Sequence, residues 1–425
     1  MIWITGLFAI SGMIYFSQKL DAMPKAIQWM MAGTIVLILL SLIQFFGIVL
    51  GIATIWPLLV LFAFYVIKLV RRGKTARFLR LGLSESTLLW LILIGLAVNS
   101  YQNYVTPWGG WDAIAIWNQH AKFLTDHQHW TLMFAKSLGS SHPDYPLFLP
   151  SLIAFAWSCG DQLHFIVPMI IGLIPLLGII TLLYFATKNR LLGVLGVGML
   201  LIDKEFINQS SAQYADTWLA FFIAMGVYLL IQLPRKGAQV ILTGFLISAS
   251  CWVKNEGLIF YMLISFGVLF ELRKDKVLFA KYILGGLPVL MTLILFKSIW
   301  TPPNDMVSES NSSLVTKLIT IERYKMIFLF TLKTIQSSFV LLPGMVVVSL
   351  AFFKIWPSKL IRSIVILGVL FAVYLGIYVI TPKDLTWHLE TSFYRLVHQI
   401  YPSILLCFIL LLENNLDAFQ NRKVI

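Results

Sequence analysis

Charge is scarce in this sequence. Asp, Glu, Lys and Arg make up 12% of its 425 residues, about half the share of an ordinary soluble domain. Beside an apolar share of 59%, that scarcity places the chain outside the soluble globular range. Cysteine is scarce too. Cys159, Cys251 and Cys407 stand far apart and form neither a metal-ligand nor a redox spacing, so they read as small apolar residues in helices. The first apolar stretch, Met1 to Phe16, lacks a preceding basic segment and a small-residue cleavage site. It is therefore expected to be a signal anchor or first span rather than a cleaved leader. No internal repeat or low-complexity tract is visible, which counts against a transporter built from inverted repeats.

What is present in abundance is apolar length. Ile27 to Val49, Gly51 to Val70, Leu163 to Ala186, Tyr214 to Leu233 and Ser363 to Ile380 each approach the roughly 20 residues that cross a hydrocarbon core. None shows the alternation of barrel strands, and only helices or closed barrels satisfy a backbone in lipid. The expected fold is an all-α polytopic membrane protein.

Lys and Arg outnumber Asp and Glu by 32 to 19, a net charge of +13, yet their placement argues against nucleic acid as a partner. The cations fall in short groups between apolar runs: Arg71, Arg72, Lys74, Arg77 and Arg80; Lys188 and Arg190; Arg235 and Lys236; Arg273, Lys274 and Lys276; Lys354, Lys359 and Arg362; Arg422 and Lys423. The positive-inside bias puts such groups in the cytoplasm, beside membrane lipid head groups. Alternation from that side predicts about thirteen crossings of roughly 20 residues each, including Ser84–Tyr101, Leu191–Ile207, Met326–Phe353 and Leu396–Leu412. Residues 1–83 form a three-span extension, 84–413 the core and 414–425 a cytoplasmic tail. Within the core, residues 101–162 form an outer loop module. Pro146–Ser158 is expected there as an interfacial or re-entrant helix, because a full crossing would invert the charge groups that follow. All seven histidines fall on the outer side or its edge.

The outer loop holds two short signatures, Trp108-Gly109-Gly110-Trp111-Asp112 and His142-Pro143-Asp144-Tyr145-Pro146. Ile114, Trp117, Ala121 and Leu124 recur after Asp112 at helical spacing, which predicts an amphipathic helix anchored at the interface by Trp108, Trp111 and Trp117. Asp112 either N-caps that helix or presents a carboxylate at head-group level, with a glycine pair leaving room for a ligand. In the second signature two prolines stiffen the chain around His142 and Asp144. They launch the next helix, or supply two ligands to a divalent cation, too few to define a metal site. His127 and His129 read as surface residues.

Three more positions stand out. Asp216 opens an otherwise apolar helix, as an N-cap or as an acid retained for use near the membrane. Lys254-Asn255-Glu256-Gly257 joins two spans on the outside, where Lys254 opposes the positive-inside bias. Lys254 is either the partner of Glu256 or a cation that meets a phosphate. Arg395 starts the last span from outside, before Pro402, and either snorkels to the interface or forks onto phosphate.

In this order these residues resemble the membrane glycosyltransferases of the C-type fold (GT-C), among them the protein O-mannosyltransferases and the lipid A aminoarabinose transferases. Asp112 with Trp117 and Ala121-Lys122 matches the first-loop element of that family. His142-Pro143-Asp144-Tyr145-Pro146 matches its second, with Asp144 in place of a proline. Asp216-Thr217-Trp218, Lys254-Asn255-Glu256-Gly257 and Arg395 to Pro402 match the rest. The resemblance covers Ser84 to Leu412. It implies a GT-C-like bundle in the plasma membrane that moves a sugar from a polyprenyl phosphate to a hydroxyl acceptor on the outer face. Asp112 would be the catalytic base, and Asp216 would orient donor or acceptor. Lys254 and Arg395 would hold the lipid phosphate, while Trp117, Lys122, His142, Asp144, Tyr145 and Glu256 would contact substrate. No cofactor is required beyond a possible divalent cation. The chain departs from the family in having no doubled Asp-Glu after Trp111 and no large domain after Leu412. Competing expectations are a flippase or transporter of a lipid-linked sugar, a polysaccharide polymerase or ligase, and a non-catalytic scaffold.

Overall fold

The computed structural model describes residues 1–71, 90, 92–95, 97, 104–160, 163–303 and 314–422. Every regular element among the described residues is helical. The N-terminal helices are α1 (Ile2–Ser17), α2 (Lys25–Leu50) and α3 (Ile55–Val70). Gly51, at φ 65°, ends α2 in the left-handed conformation that glycine adopts without a steric penalty. The loop module contains a π-helical turn (Ala113–Asn118), α4 (Gln119–Phe123) and α5 (Phe148–Cys159). There follow α6 (Ile166–Ala186), α7 (Arg190–Ile202), α8 (Lys204–Ser211), α9 (Ala215–Ile231), α10 (Gly237–Val253), α11 (Asn255–Leu272) and α12 (Lys276–Ile299). The chain closes with α13 (Leu314–Ile319), α14 (Ile321–Ser338), α15 (Leu341–Phe352), α16 (Ser358–Ile380) and α17 (Leu385–Arg422).

Six of these helices, α2, α6, α11, α12, α16 and α17, are long and apolar enough to cross a membrane. Two broken pairs raise the number to eight if each is one crossing: α8 and α9, bent by 116°, and α14 and α15, bent by 95°. Six to eight helices among the described residues thus have the length and composition of a crossing, against about thirteen expected, with five shorter apolar helices of 10–17 residues beside them. The shortfall has local causes. The run Leu191–Ile207 breaks at Asp203, whose carboxylate accepts from the Phe206 amide at 2.9 Å and caps a new helix. The run Met326–Phe353 breaks at Phe339, where the missing N–H of Pro343 removes the helical partner of the Phe339 carbonyl. Ser84–Tyr101 lies largely outside the described residues.

At the centre is α9, buried at every position from Ala215 to Leu230. It packs chiefly on α17, α10 and α6. The closest helix pair is α10 with α12. There a Cβ on Gly244 or Gly285 would strike the backbone of Tyr282 or Ile241, so the glycines permit the approach.

Within the expected N-terminal three-span extension, α2 packs against the core. Ser41 donates to the Phe148 carbonyl at 3.1 Å and accepts from the Trp252 indole at 3.1 Å, and Gln44 donates to the Leu124 carbonyl at 2.9 Å. The interfacial or re-entrant helix expected over Pro146–Ser158 lies at Phe148–Cys159. It is α5, whose residues are buried at nine positions, Phe148 to Phe155 and Trp157, mainly against α2. Twelve residues give it about 18 Å, well short of a hydrocarbon core.

The helices have two chemically distinct ends. One carries Lys188, Arg235, Lys236, Arg273, Lys274, Lys276, Lys359 and Arg362 at helix termini. The other gathers the loop module, the start of α9, the α10–α11 junction, the end of α12 and the first turns of α17.

Candidate functional site

The loop module is pinned first by its glycines. Gly109 has φ 80°, and the Gly110 amide donates to the Ala212 carbonyl at 3.0 Å in the turn between α8 and α9. A Cβ on Gly110 would strike the Tyr214 hydroxyl. The glycine pair therefore serves close docking of the loop onto this turn.

Docking puts Asp112 at the start of the π-helical turn, but its side chain makes no capping hydrogen bond. Its carboxylate forms an ion pair with the Arg395 guanidinium instead. The capping explanation of Asp112 is thereby set aside. The wide turn also rotates the following residues. Ala113, Ile116, Trp117, His120, Ala121 and Leu124 face inward, so that of the expected apolar face Trp117, Ala121 and Leu124 are buried and only Ile114 is exposed. The expectation for Trp117 is corrected. It is fully buried rather than an interfacial anchor, and its ring stacks on Tyr145 at 5.7 Å. π-turns inside helices are rare and concentrate at functional positions.

The second signature folds back over this wall. His142 takes φ 49° and stacks on Tyr145 with centroids 4.9 Å apart. Asp144 is buried, accepts from the Asn255 amide at 2.9 Å, and pairs with Lys297 of α12 at 3.5 Å. The Lys297 ammonium also donates to the Asp144 carbonyl. Across the Tyr145 ring stands Lys254, 5.7 Å from its centroid.

Lys254 is the only residue between α10 and α11, so its side chain enters the space where the two helices diverge. It donates to Asp216 at 2.9 Å and lies 3.3 Å from Glu256. Burial by itself would push this ammonium down, but the two carboxylates reverse the shift and raise it. Asp216, in the first turn of α9, makes no cap and is fully buried. Its Oδ1 accepts from Lys254 and from the Gln399 amide at 2.7 Å, and Gln399 is held by the Tyr374 hydroxyl at 2.8 Å. Arg395 lies one turn before Gln399 on α17. Its guanidinium stands 5.6 Å from the Tyr214 ring centroid, and its charge reaches both Asp216 and Lys254.

Four carboxylates (Asp112, Asp144, Asp216 and Glu256) and three cations (Lys254, Lys297 and Arg395) thus meet in one cluster. Several of its atoms are buried without a hydrogen-bond partner among the described residues: Asp216 Oδ2, Glu256 Oε2, Arg395 Nε and Trp117 Nε1. Two are acceptors and two donors, a set that hydroxyl groups and oxyanions can satisfy. Among the described residues, no group of three or more His, Cys, Asp and Glu side chains is arranged to hold a metal ion.

Of the residues singled out in the sequence, Asp112, Trp117, His142, Asp144, Tyr145, Asp216, Lys254, Glu256 and Arg395 come together here. Lys122 does not: it is exposed and its ammonium makes no ion pair among the described residues. His127 is exposed, and His129 pairs with Asp126 at 2.9 Å on the surface. Sequence reasoning missed Gln399, Tyr374, Asn255 and Tyr214, and assigned Lys297 no partner. The Gln399 signal was a buried amide one helical turn after Arg395.

An apolar cavity of about 580 Å³ is lined chiefly by residues of α1, α2, α6 and α9, among them Met30, Leu37, Ile174 and Phe221. Phe221 is five residues along α9 from Asp216, about 7.5 Å along the helix axis. Comparison of the chain with protein-family models, curated proteins and solved structures gives no match.

Proposed function

We propose that this chain is an inverting membrane glycosyltransferase of the GT-C kind, which moves a sugar from a polyprenyl phosphate to a hydroxyl acceptor. The observation that carries the reading is the convergence of four sequence-distant elements on one buried ion cluster. Asp112, Asp216, the Lys254–Glu256 junction and Arg395 span 284 positions (112 to 395) yet share charges across a few ångströms. Buried ionisable groups are costly in apolar surroundings and are retained chiefly where they act.

In this reading Asp112 takes the proton of the acceptor hydroxyl as that oxygen bonds to the anomeric carbon. The bond from that carbon to the phosphate oxygen breaks on the opposite face, and its electron pair leaves with the phosphate. Arg395 and Lys254 stabilise the departing charge. Asp216 Oδ2 and Glu256 Oε2 accept from sugar hydroxyls, and the apolar cavity beside α9 takes part of the isoprenoid chain. The basic helix ends would lie in the cytoplasm and the cluster would then face outward at the plasma membrane.

One feature favours a second reading, a flippase of a lipid-linked sugar. The broken pairs α8–α9 and α14–α15 resemble the interrupted helices of transporters. The position of the ion cluster at helix ends rather than midway along them favours transfer. The deciding experiment is an assay in proteoliposomes with a polyprenyl-phosphate sugar and a panel of hydroxyl acceptors. Asp112→Asn should lower transfer about 100- to 10,000-fold, the usual loss for a positioned base, while the protein stays folded. Transfer retained near the wild-type level would return Asp112 to a structural role. Lipid translocation without transfer would select the flippase.

A further inference from the structure

The cluster holds four carboxylates against three cations, and each cation is engaged by at least one carboxylate. An incoming phosphate therefore finds every cation of the cluster already paired with a carboxylate. The three cations differ in how firmly they are held. Lys254 lies between Asp216 and Glu256 with its side chain 6% exposed, and Gln399 fixes Asp216 from the other side. Lys297 is tied to both the carboxylate and the carbonyl of Asp144, which Asn255 also holds. The carboxylate of Asp112 has Arg395 as its one partner among the described residues, makes no capping bond, and stands at the start of the π-helical turn rather than in a helix interior. The Arg395 Nε is buried without a partner, so this guanidinium has a donor to spare for a forked oxyanion.

We propose that the donor phosphate and Asp112 compete for Arg395, so that phosphate binding releases the Asp112 carboxylate. Resting on the glycosyltransferase reading, this assigns an order to its site. Before the donor arrives, Arg395 occupies an oxygen of the base. Once a phosphate takes the guanidinium, Asp112 is free to turn toward an acceptor hydroxyl. The pair acts as a lock whose key is the anionic group of the lipid, and a lipid-linked sugar without a phosphate would leave the base engaged. No bond is made or broken at this stage; one ion pair replaces another.

The test measures binding of an isoprenyl monophosphate without sugar to the full-length protein in nanodiscs of zwitterionic lipid. Asp112→Asn and Asp112→Ala, which remove the competing charge, should each bind the lipid at least tenfold more tightly than the wild type. Equal or weaker binding by the variants would overturn the competition while leaving the donor reading intact. No binding by any of the three proteins would overturn both. A measurement on the wild type guards against variants that do not fold. With 15N-labelled arginine, the bound phosphate should show phosphorus–nitrogen dipolar coupling to a guanidinium, and absence of that coupling would refute the exchange.

Discussion

At the basic helix ends Lys236 meets Asp21 at 3.1 Å, with side chains 67% and 58% exposed; at the opposite ends Lys254 meets Asp216 at 2.9 Å, with side chains 6% and 1% exposed. The bonding is nearly the same and the surroundings are not. Water and salt screen the first pair, and its free alternative is a hydrated lysine. The second pair has no hydrated alternative without opening the protein, so each charge depends on the other. Glu271, joined by Arg235 and Arg362, is intermediate, with its side chain 10% exposed and Arg235 at 56%. The two ends teach that a cation's contribution is set by what it would face if its partner were removed. The basic groups are screened singly, whereas the cluster is a fixed field built from a few charges.

The comparison can be broken most forcefully at Lys254. Lys254→Met leaves Asp216 and Glu256 without their shared cation and should destabilise the protein by about 3–5 kcal/mol, the cost of orphaning a buried charge. The double variant Lys254→Met/Asp216→Asn should recover part of that loss. Denaturant unfolding in detergent checks both, and a single variant as stable as wild type would show that the cluster is well hydrated.

A second contrast separates two histidines of the loop module. His129 pairs with Asp126 on the surface, whereas His120 is fully buried, its Nε2 3.2 Å from the Ser141 hydroxyl. Burial, aided by the nearby His142, pushes the His120 pKa down from 6.5 to about 4. Between those values the unfolded chain binds the proton that the folded chain refuses, so stability rises with pH across the window and is lost as pH falls from about 6.5 toward 4. The shift corresponds to about 3 kcal/mol at the acid limit. His120→Gln should flatten that part of the stability–pH profile. A profile as steep as that of the wild type would mean that His120 is wetter than its packing indicates.

The same distinction explains what could be read in the sequence. Asp112, Asp216, Lys254 and Arg395 were legible because an ionisable group amid apolar residues is expensive enough to stand out. Gln399 and Tyr374, which complete the setting of Asp216, were not, because neutral polar residues hardly disturb an apolar run. Trp117 was misread because a tryptophan suits both an interface and a ligand wall. Apolar length alone does not divide the chain into helices, because it records how much chain is greasy, not where it bends. Asp203, at the break before α8, and Pro343, just past the α14–α15 bend, mark interruptions in the sequence, but each is a single residue inside a long apolar pattern.

The smallest effect belongs to the exposed end. Lys236→Met removes the partner of Asp21, but Asp21 keeps the Gln239 amide at 2.7 Å and remains open to water. The loss of stability should fall within about 0–1 kcal/mol and shrink further in high salt. Donor binding should not change, since Lys236 lies at the helix ends opposite the cluster. Unfolding at two salt concentrations beside a lipid-binding titration tests both halves. A loss near that of Lys254→Met would mean that the exposed pair is a structural clasp between α10 and the turn before α2, and the contrast between the two ends would then fail.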